Sequence, residues 1–261
     1  MSIENNIITT QELHIGYQSK GKTNTIAANL NLRLASGQLI TLVGANGVGK
    51  STLLRTLTGI QKPLHGTVFL NENNIHEIPT TDLAQELSLV LTEKLPANNL
   101  TVYEIIALGR QPYTNWLGQL SETDHEKIKQ AIALTQIEHL TSKKHHEISD
   151  GQLQIVLIAR ALAQDTPIII LDEPTTHLDL VHKVSVFKLL KRLSLETNKC
   201  ILFSTHDVDL AIQLSDQMIV MTEDKVHQDQ PCNLITQGVF NALFKDDSIT
   251  FDSEKGKFII S

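Results

Sequence analysis

Nine consecutive residues, Gly44-Ala-Asn-Gly-Val-Gly-Lys-Ser-Thr52, leave this chain little choice of fold. They fit the pattern G-x-x-x-x-G-K-[ST] and lie between a β-rich run, Gly37-Gln-Leu-Ile-Thr-Leu-Val43, and a helix-like run, Thr52-Leu-Leu-Arg-Thr-Leu57. Glycines at these spacings let successive backbone N–H groups curl round an anion with no Cβ in the way, and the helix that follows adds the partial positive charge of its N-terminus. In such a loop Lys50 reaches the β- and γ-phosphates of a nucleotide, and the Ser51 hydroxyl supports Mg²⁺. At average residue frequencies the string arises by chance in roughly one chain of this length in a hundred, and the flanking strand and helix make chance rarer still. The loop lacks G-x-G-x-x-G, so a dinucleotide-binding reading fails.

The remaining pattern predicts an α/β fold. Short β-rich runs fall at Thr67–Leu70, Leu87–Leu91, Ile168–Leu171, Cys200–Ser204 and Gln217–Met221. The runs at 168–171 and 200–204 are almost continuously apolar, as central strands of a sheet covered on both faces must be. Helical patterns with apolar residues three and four apart cover Glu122–Leu134, Gln152–Gln164 and Lys183–Leu195. Residues 92–164 contain helix-like segments and no convincing strand. The chain therefore reads as one domain over 1–261: an α/β core from about 1–91 and 165–230, a helical subdomain inserted at 92–164, and a weakly patterned extension at 231–261 with no assigned role.

A length of 261 residues with 41% hydrophobic residues suffices for a sizeable core without disulfides. The net charge of −7 offers no footprint for a phosphate backbone, which argues against nucleic acid as a partner. Cys200 and Cys232 stand in no metal-ligand spacing, which fits a reduced compartment and inert thiols. The first residues carry no basic and apolar leader, so no secretory signal is expected and the cytoplasm is the expected location. The most apolar segment, Ile155–Ala163, is broken by Arg160. Direct membrane insertion is thus not expected, and membrane contact would go through a partner.

The segment Ile168-Ile-Ile-Leu-Asp172-Glu173-Pro174 adds a second chemical feature. A strand that ends in two carboxylates places them at the carboxyl edge of the sheet, where α/β folds bind ligands. Asp172 can support Mg²⁺, and Glu173 can act as general base toward an attacking water. This pair together with the glycine loop still suits kinases, GTPases and motor ATPases.

Three further strings narrow the choice. Ile148-Ser149-Asp150-Gly151-Gln152 resembles the signature motif of ABC ATPases. Thr175-Thr-His-Leu-Asp179 is similar to that family's D-loop, and Ser204-Thr-His206-Asp207 to its switch histidine. Tyr17 occupies the place of the aromatic that stacks on adenine. The matches follow the family's order over residues 10–225. The resemblance implies a P-loop NTPase of the ABC-ATPase fold: a RecA-like, mostly parallel sheet core with N-terminal antiparallel strands and an inserted helical subdomain. It further implies that Gly44, Ala45, Asn46, Gly47, Val48, Gly49, Lys50, Ser51 and Thr52 hold the phosphates of ATP. By the same resemblance Ser51 and Asp172 hold Mg²⁺, Glu173 acts on the water and His206 contacts the γ-phosphate. Ser149 and Gly151, with Gln152 beside them, would reach the γ-phosphate bound to a second copy, and Asp179 would lie in the D-loop. Two copies would sandwich two ATP molecules head to tail.

Two positions depart from the family pattern. Asp150 replaces the first glycine of Leu-Ser-Gly-Gly-Gln, and the expectation is that its carboxylate points away from the phosphate. The glutamine that contacts Mg²⁺ and senses the transmembrane partner falls on Thr92, with Glu93 beside it, and either is expected to substitute for it.

The segment Leu108-Gly-Arg110-Gln-Pro112-Tyr113 and its continuation through Trp116, Gly118, Leu120 and Asp124 resembles ATPases of importers for iron-siderophore, ferric citrate, haem and cobalamin ligands. That likeness implies a homodimeric, peripheral ATPase on the cytoplasmic face of the inner (plasma) membrane, with polytopic permease subunits, themselves a homodimer, and a substrate-binding protein as partners. Exposed aromatics such as Tyr113 and Trp116 would suit docking of a permease. A cobalamin or haem importer, and a soluble ABC ATPase without a permease, are the alternatives. Kinase chemistry is disfavoured by the long separation of Lys50 from Asp172 and by the signature string. The pair His145-His146, beside Lys143-Lys144, reads as a solvated loop.

Overall fold

A computed structural model of the chain describes residues 5–19, 21–91, 99–243 and 249–260. The first elements are β1 (Asn6–Ser19), β2 (Lys22–Leu30), β3 (Arg33–Ala35), β4 (Leu39–Gly44), α1 (Lys50–Leu57), β5 (His65–Leu70), β6 (Asn73–Asn74), α2 (Thr80–Glu86) and β7 (Leu87–Val90). A helical stretch follows, with α3 (Val102–Ala107), a 3₁₀ turn at Leu108–Tyr113, α4 (Glu122–Thr135) and α5 (Asp150–Ala163). The chain then alternates through β8 (Ile168–Leu171), α6 (Leu180–Thr197), β9 (Cys200–Ser204), α7 (Val208–Leu214), β10 (Gln217–Met221) and β11 (Val226–Asp229). It closes with α8 (Pro231–Thr236), a 3₁₀ turn at Val239–Ala242, β12 (Ile249–Asp252) and β13 (Lys257–Ile260).

The central sheet has the order β11-β10-β4-β9-β8-β7, with every neighbouring pair parallel except β10 and β11. Its apolar runs are split by the period of two that a strand imposes. From β4, Leu39 and Val43 enter one core while Ile40 and Leu42 enter the other; β8 sends Ile169 and Leu171 one way and Ile168 and Ile170 the other. The first core lies against α5, α6 and α7. The second is closed by α1 and by a separate antiparallel sheet of order β2-β1-β5-β6, to which β3 adds by pairing with β1. Continuous apolarity in β8 and β9 is thus the direct consequence of two covered faces.

Three of the helices between β7 and β8 start on reciprocal caps: Thr101 with Glu104 for α3, Ser121 with Asp124 for α4, and Ser149 with Gln152 for α5. Each satisfies donors that a helix N-terminus leaves open. Arg110 ties these helices together from a buried position. Its Nε donates to Asp124 Oδ1 at 2.7 Å and its Nη1 to the carbonyl of Ala163 at 2.8 Å, while its guanidinium lies 3.8 Å from the centre of the Tyr113 ring. Tyr113 is therefore half-buried beneath Arg110, contrary to its expected exposure, because the cation draws the ring inward. Gly109 has to be glycine, since a Cβ there would stand 2.2 Å from the Arg160 carbonyl oxygen.

The extension after Gln230, which carried no role in the sequence reading, packs on the core through Leu234, Val239 and Phe240. The β12–β13 hairpin adds Phe251, stacked on Phe240 at 4.9 Å, and Phe258, edge-on to Phe251 at 5.0 Å. Cys200 is buried, and burial pushes its thiol pKa up. Cys232 is exposed, so only the first of the two thiols is shielded in the manner expected of an inert one.

Candidate active site

The strand order β4-β9-β8 brings three loop starts side by side at the carboxyl edge of the sheet: the glycine loop after β4, Asp172 and Glu173 after β8, and Thr205-His206 after β9. This edge is where open parallel sheets form ligand crevices. In the loop, Gly47 and Gly49 have φ of 77° and 111°, a region closed to most side chains. A Cβ on Gly47 would meet nothing within 4 Å, whereas one on Gly49 would strike Ile26 Cγ2 at 2.3 Å. Gly47 therefore answers to backbone conformation alone and Gly49 to the close cover of β2 as well. Helix α1 begins at Lys50 with no side-chain cap and no acidic residue in its first turn, so its N-terminal amides and dipole are left for an anion.

Lys50 is 6% exposed. Its ammonium donates to the carbonyls of Gly44 at 3.1 Å and Ala45 at 3.4 Å, and stands 4.0 Å from Glu173 Oε1. Burial lowers its pKa, and the charges of Glu173 and Asp172 restore only part of that. A buried cation compensated this incompletely favours a further anion. Ser51 is exposed at the mouth of the loop, and the Thr52 hydroxyl lies 2.7 Å from the Tyr17 hydroxyl. Tyr17, 46% exposed near the end of β1, is thereby tethered to the loop with ring area uncovered.

The carboxylates are organised by β9. Ser204, fully buried, donates through Oγ to Asp172 Oδ1 at 2.7 Å and accepts the Glu173 backbone N–H at 2.8 Å. Glu173 has φ of 48°, the left-handed conformation that costs a non-glycine residue energy and that collects at functional sites. Its Oε1 lies 2.8 Å from His206 Nε2, and its Oε2 accepts from the Thr176 hydroxyl at 3.1 Å. Because an ionised carboxylate only accepts, the hydrogen bond places the proton on Nε2 of His206. Behind this row, Asp207 accepts from Thr175 Oγ1 at 3.1 Å and from Lys183 Nζ at 2.7 Å, fixing the loops after β8 and β9 to α6. Ser204, Thr176 and Lys183 were not picked out from the sequence, because their roles depend on the register of β8 against β9 and on the seating of α6.

Of the other expected site residues, Ser149 caps α5 and Gln152 completes the box, its Oε1 accepting the Ser149 N–H at 3.1 Å. Asp150 and Gly151 occupy the first two positions of that helix, and Asp150 is exposed. Asp179 caps α6, its Oδ1 accepting the His182 N–H at 2.9 Å. Within one copy no hydrogen bond or ion pair joins Ser149, Gln152 or Asp179 to Lys50, Glu173 or His206. Thr92 and Glu93 lie outside the described residues.

Among the described residues no group of three or more His, Cys, Asp or Glu side chains could hold a metal ion by itself. One hydroxyl and one carboxylate, Ser51 and Asp172, are the donor types that suit Mg²⁺, which keeps waters and takes the rest of its ligands from phosphates.

Residues 27–176 match the family described as ABC transporter. The achromobactin transport ATP-binding protein of Dickeya dadantii is 39% identical over 92% of this chain and 88% of its own length. The iron(3+)-hydroxamate import ATP-binding protein of Bacillus subtilis is 34% identical over 93% of this chain and 89% of its own. The dimeric, post-hydrolysis state of an ATP-binding cassette with ADP and Pi superposes with a TM-score of 0.71 at 25% identity, covering 86% of this chain and 98% of that one. An ABC transporter in an inward-facing conformation, provisionally assigned to the metal-chelate type, gives a TM-score of 0.79 at 26% identity over 98% and 96%.

Proposed function

This chain belongs to the ABC transporter family, and on that footing we propose that it is the ATP-hydrolysing subunit of an importer for an iron chelate of the siderophore type. The reading is carried by the meeting of the Lys50 ammonium, the Asp172-Glu173 pair and His206 at the ends of three adjacent strands. Backbone amides of Gly44–Thr52 and the α1 dipole bind the phosphates of ATP; Lys50 turns its ammonium from the Gly44 and Ala45 carbonyls to them. Tyr17 offers its exposed face to adenine. Ser51 and Asp172 would hold Mg²⁺, which when bound neutralises charge on the β- and γ-phosphates.

Glu173 is the general base. Each of its oxygens accepts one donor, from His206 and Thr176, and keeps a further lone pair for an attacking water. His206 is the exposed donor, and its ring turning from Glu173 toward the γ-phosphate gives the attacking water wider access to Oε1. Ser204 holds the backbone of Glu173 meanwhile. Ser149 and Gly151 belong to the site of a second copy, where a hydroxyl and a helix N-terminus form an anion cradle that closes on ATP.

The permease and a substrate-binding protein supply the chelate specificity, and the ATPase lies against the cytoplasmic face of the membrane. Trp116, 91% exposed, is presented by an ordered turn in which Asn115 Oδ1 accepts the N–H groups of Leu117 and Gln119. A large exposed aromatic on a fixed turn suits a protein interface. The test is purification from native membranes followed by hydrolysis assays with ferric chelates and their binding protein. A copurified polytopic protein and chelate-stimulated hydrolysis, abolished by Glu173→Gln, are expected. Full hydrolysis with no membrane partner and no response to any chelate would contradict the importer.

A further inference from the structure

The ring of His182, which no motif singled out, bridges the two strips of this chain that face a second copy. Its Nδ1 lies 2.8 Å from Asp179 Oδ1, the same oxygen that accepts the His182 backbone N–H at 2.9 Å. One carboxylate oxygen thus receives two donors from one residue, which fixes the ring and places its proton on Nδ1. The other side of the ring rests on α5. A Cβ built on Gly151 would stand 3.0 Å from His182 Cδ2, 3.5 Å from Cγ and 3.6 Å from Nε2. A methyl group at position 151 would therefore press on the imidazole, which would have to give by a few tenths of an ångström.

We propose that His182 is a positioning residue, bound to Asp179 on one edge and seated on Gly151 on the other, that makes the D-loop and the signature helix move as one unit when a second copy closes on ATP. The inference rests on the dimeric ATPase reading above. It deepens that reading by giving Gly151 a steric reason as well as a role toward phosphate. The surroundings agree with it. Leu180 and Val181, immediately before His182, are 68% and 73% exposed, an apolar pair beside Asp179 that a second copy of the chain would cover. The hydrogen bonds of His182 run to Asp179 and not to Lys50, Glu173 or His206, so its effect should fall on closure and leave nucleotide capture by one protomer alone.

The experiment compares wild type, His182→Ala, His182→Asn, Gly151→Ala and the Gly151→Ala/His182→Ala pair. Three readouts are taken: affinity of dilute protomer for a fluorescent ATP analogue, ATP-driven dimerisation in a Glu173→Gln background by sedimentation, and steady-state kcat and KM. For His182→Ala the expected result is protomer affinity within about twofold of wild type, with dimerisation and kcat both weakened by about tenfold, the cost of a small misplacement at a closing site. His182→Asn, whose side-chain amide can still donate to Asp179, should recover most of the loss. Gly151→Ala should be partly rescued by His182→Ala, because removing the ring makes room for the methyl group. Wild-type dimerisation and kcat in His182→Ala, or a pair no better than Gly151→Ala alone, would overturn the proposal. Failure of the wild type itself to bind ATP or dimerise would instead bring down the ATPase reading, and this inference with it.

Discussion

Ser204 decides how well the residues Asp172 and Glu173 are held, because a single buried hydroxyl serves both of them. Ser204→Ala leaves the Glu173 N–H without its partner and Asp172 with one donor fewer. An unmet buried donor costs about 1–3 kcal/mol. The strained φ of Glu173 is then free to relax, so kcat should fall by about tenfold or more while ATP affinity, set by the glycine loop and Lys50, changes little. Steady-state kinetics beside a nucleotide titration check this; equal loss of both would assign Ser204 to binding. Asp150 is the opposite case, a charge that the family pattern lacks. It stands exposed at the first position of α5, where a carboxylate favours the helix dipole by about 0.3–1 kcal/mol. On the expectation that its side chain turns from the phosphate, Asp150→Gly should leave ATP affinity and hydrolysis rate unchanged, and a many-fold gain in either would show that the carboxylate opposes the nucleotide.

Among the elements, the helical stretch between β7 and β8 depends on one buried ion pair. Arg110 joins the 3₁₀ turn to the start of α4 through Asp124 and to the end of α5 through the Ala163 carbonyl. Since α5 begins at the signature, Arg110→Ala should loosen the far end of the helix that carries it. It also leaves Asp124 buried without its cation, which costs about 3–5 kcal/mol, visible as a large drop in Tm. Burial raises the pKa of Asp124, but the Ser121 hydroxyl and N–H and the Arg110 guanidinium outweigh it and hold the carboxyl below its ordinary range. A folded pKa below the unfolded value of about 3.9 contributes stability that is fully present above about pH 4 and is lost as pH falls through the folded value. Asp124→Asn should therefore be less stable at pH 7 and lose less than wild type between pH 4 and pH 2 in denaturant titrations; parallel pH profiles would contradict this. Strands β4, β7, β8, β9 and β10 of the central sheet were legible, β8 and β9 most clearly because both of their faces are covered and every residue but Ser204 is apolar, whereas the edge strand β11 was not. The N-terminal strands were not. In β1 the alternation is interrupted by irregular register against β2 and β5, and β2 is exposed along much of its length, so neither shows a clean period. The motif residues could be read from spacing alone, whereas Ser204 and His182 act through contacts that only the packed fold creates.

For the whole molecule, no helix among the described residues is long and apolar enough to cross a membrane, and the proposed coupling to transport is assigned to a surface. Trp116 is the exposed aromatic best placed on an ordered turn to provide it. Trp116→Ala should weaken association with the permease by tenfold or more, as loss of an aromatic anchor does, and leave ATP affinity of the protomer unchanged. Association unaffected by the substitution would assign the turn another role. In the proposed dimer each copy holds half of each site: Lys50, Asp172, Glu173 and His206 on one side, and the signature helix on the other. The decisive measurement is sedimentation of the Glu173→Gln protein with and without ATP and Mg²⁺, paired with hydrolysis by the wild type as a function of protein concentration. Dimers that form only with ATP, and a specific activity that rises with protein concentration, are the predicted result. Dilute monomer that hydrolyses ATP at full rate, with no ATP-dependent dimer in the variant, would contradict it.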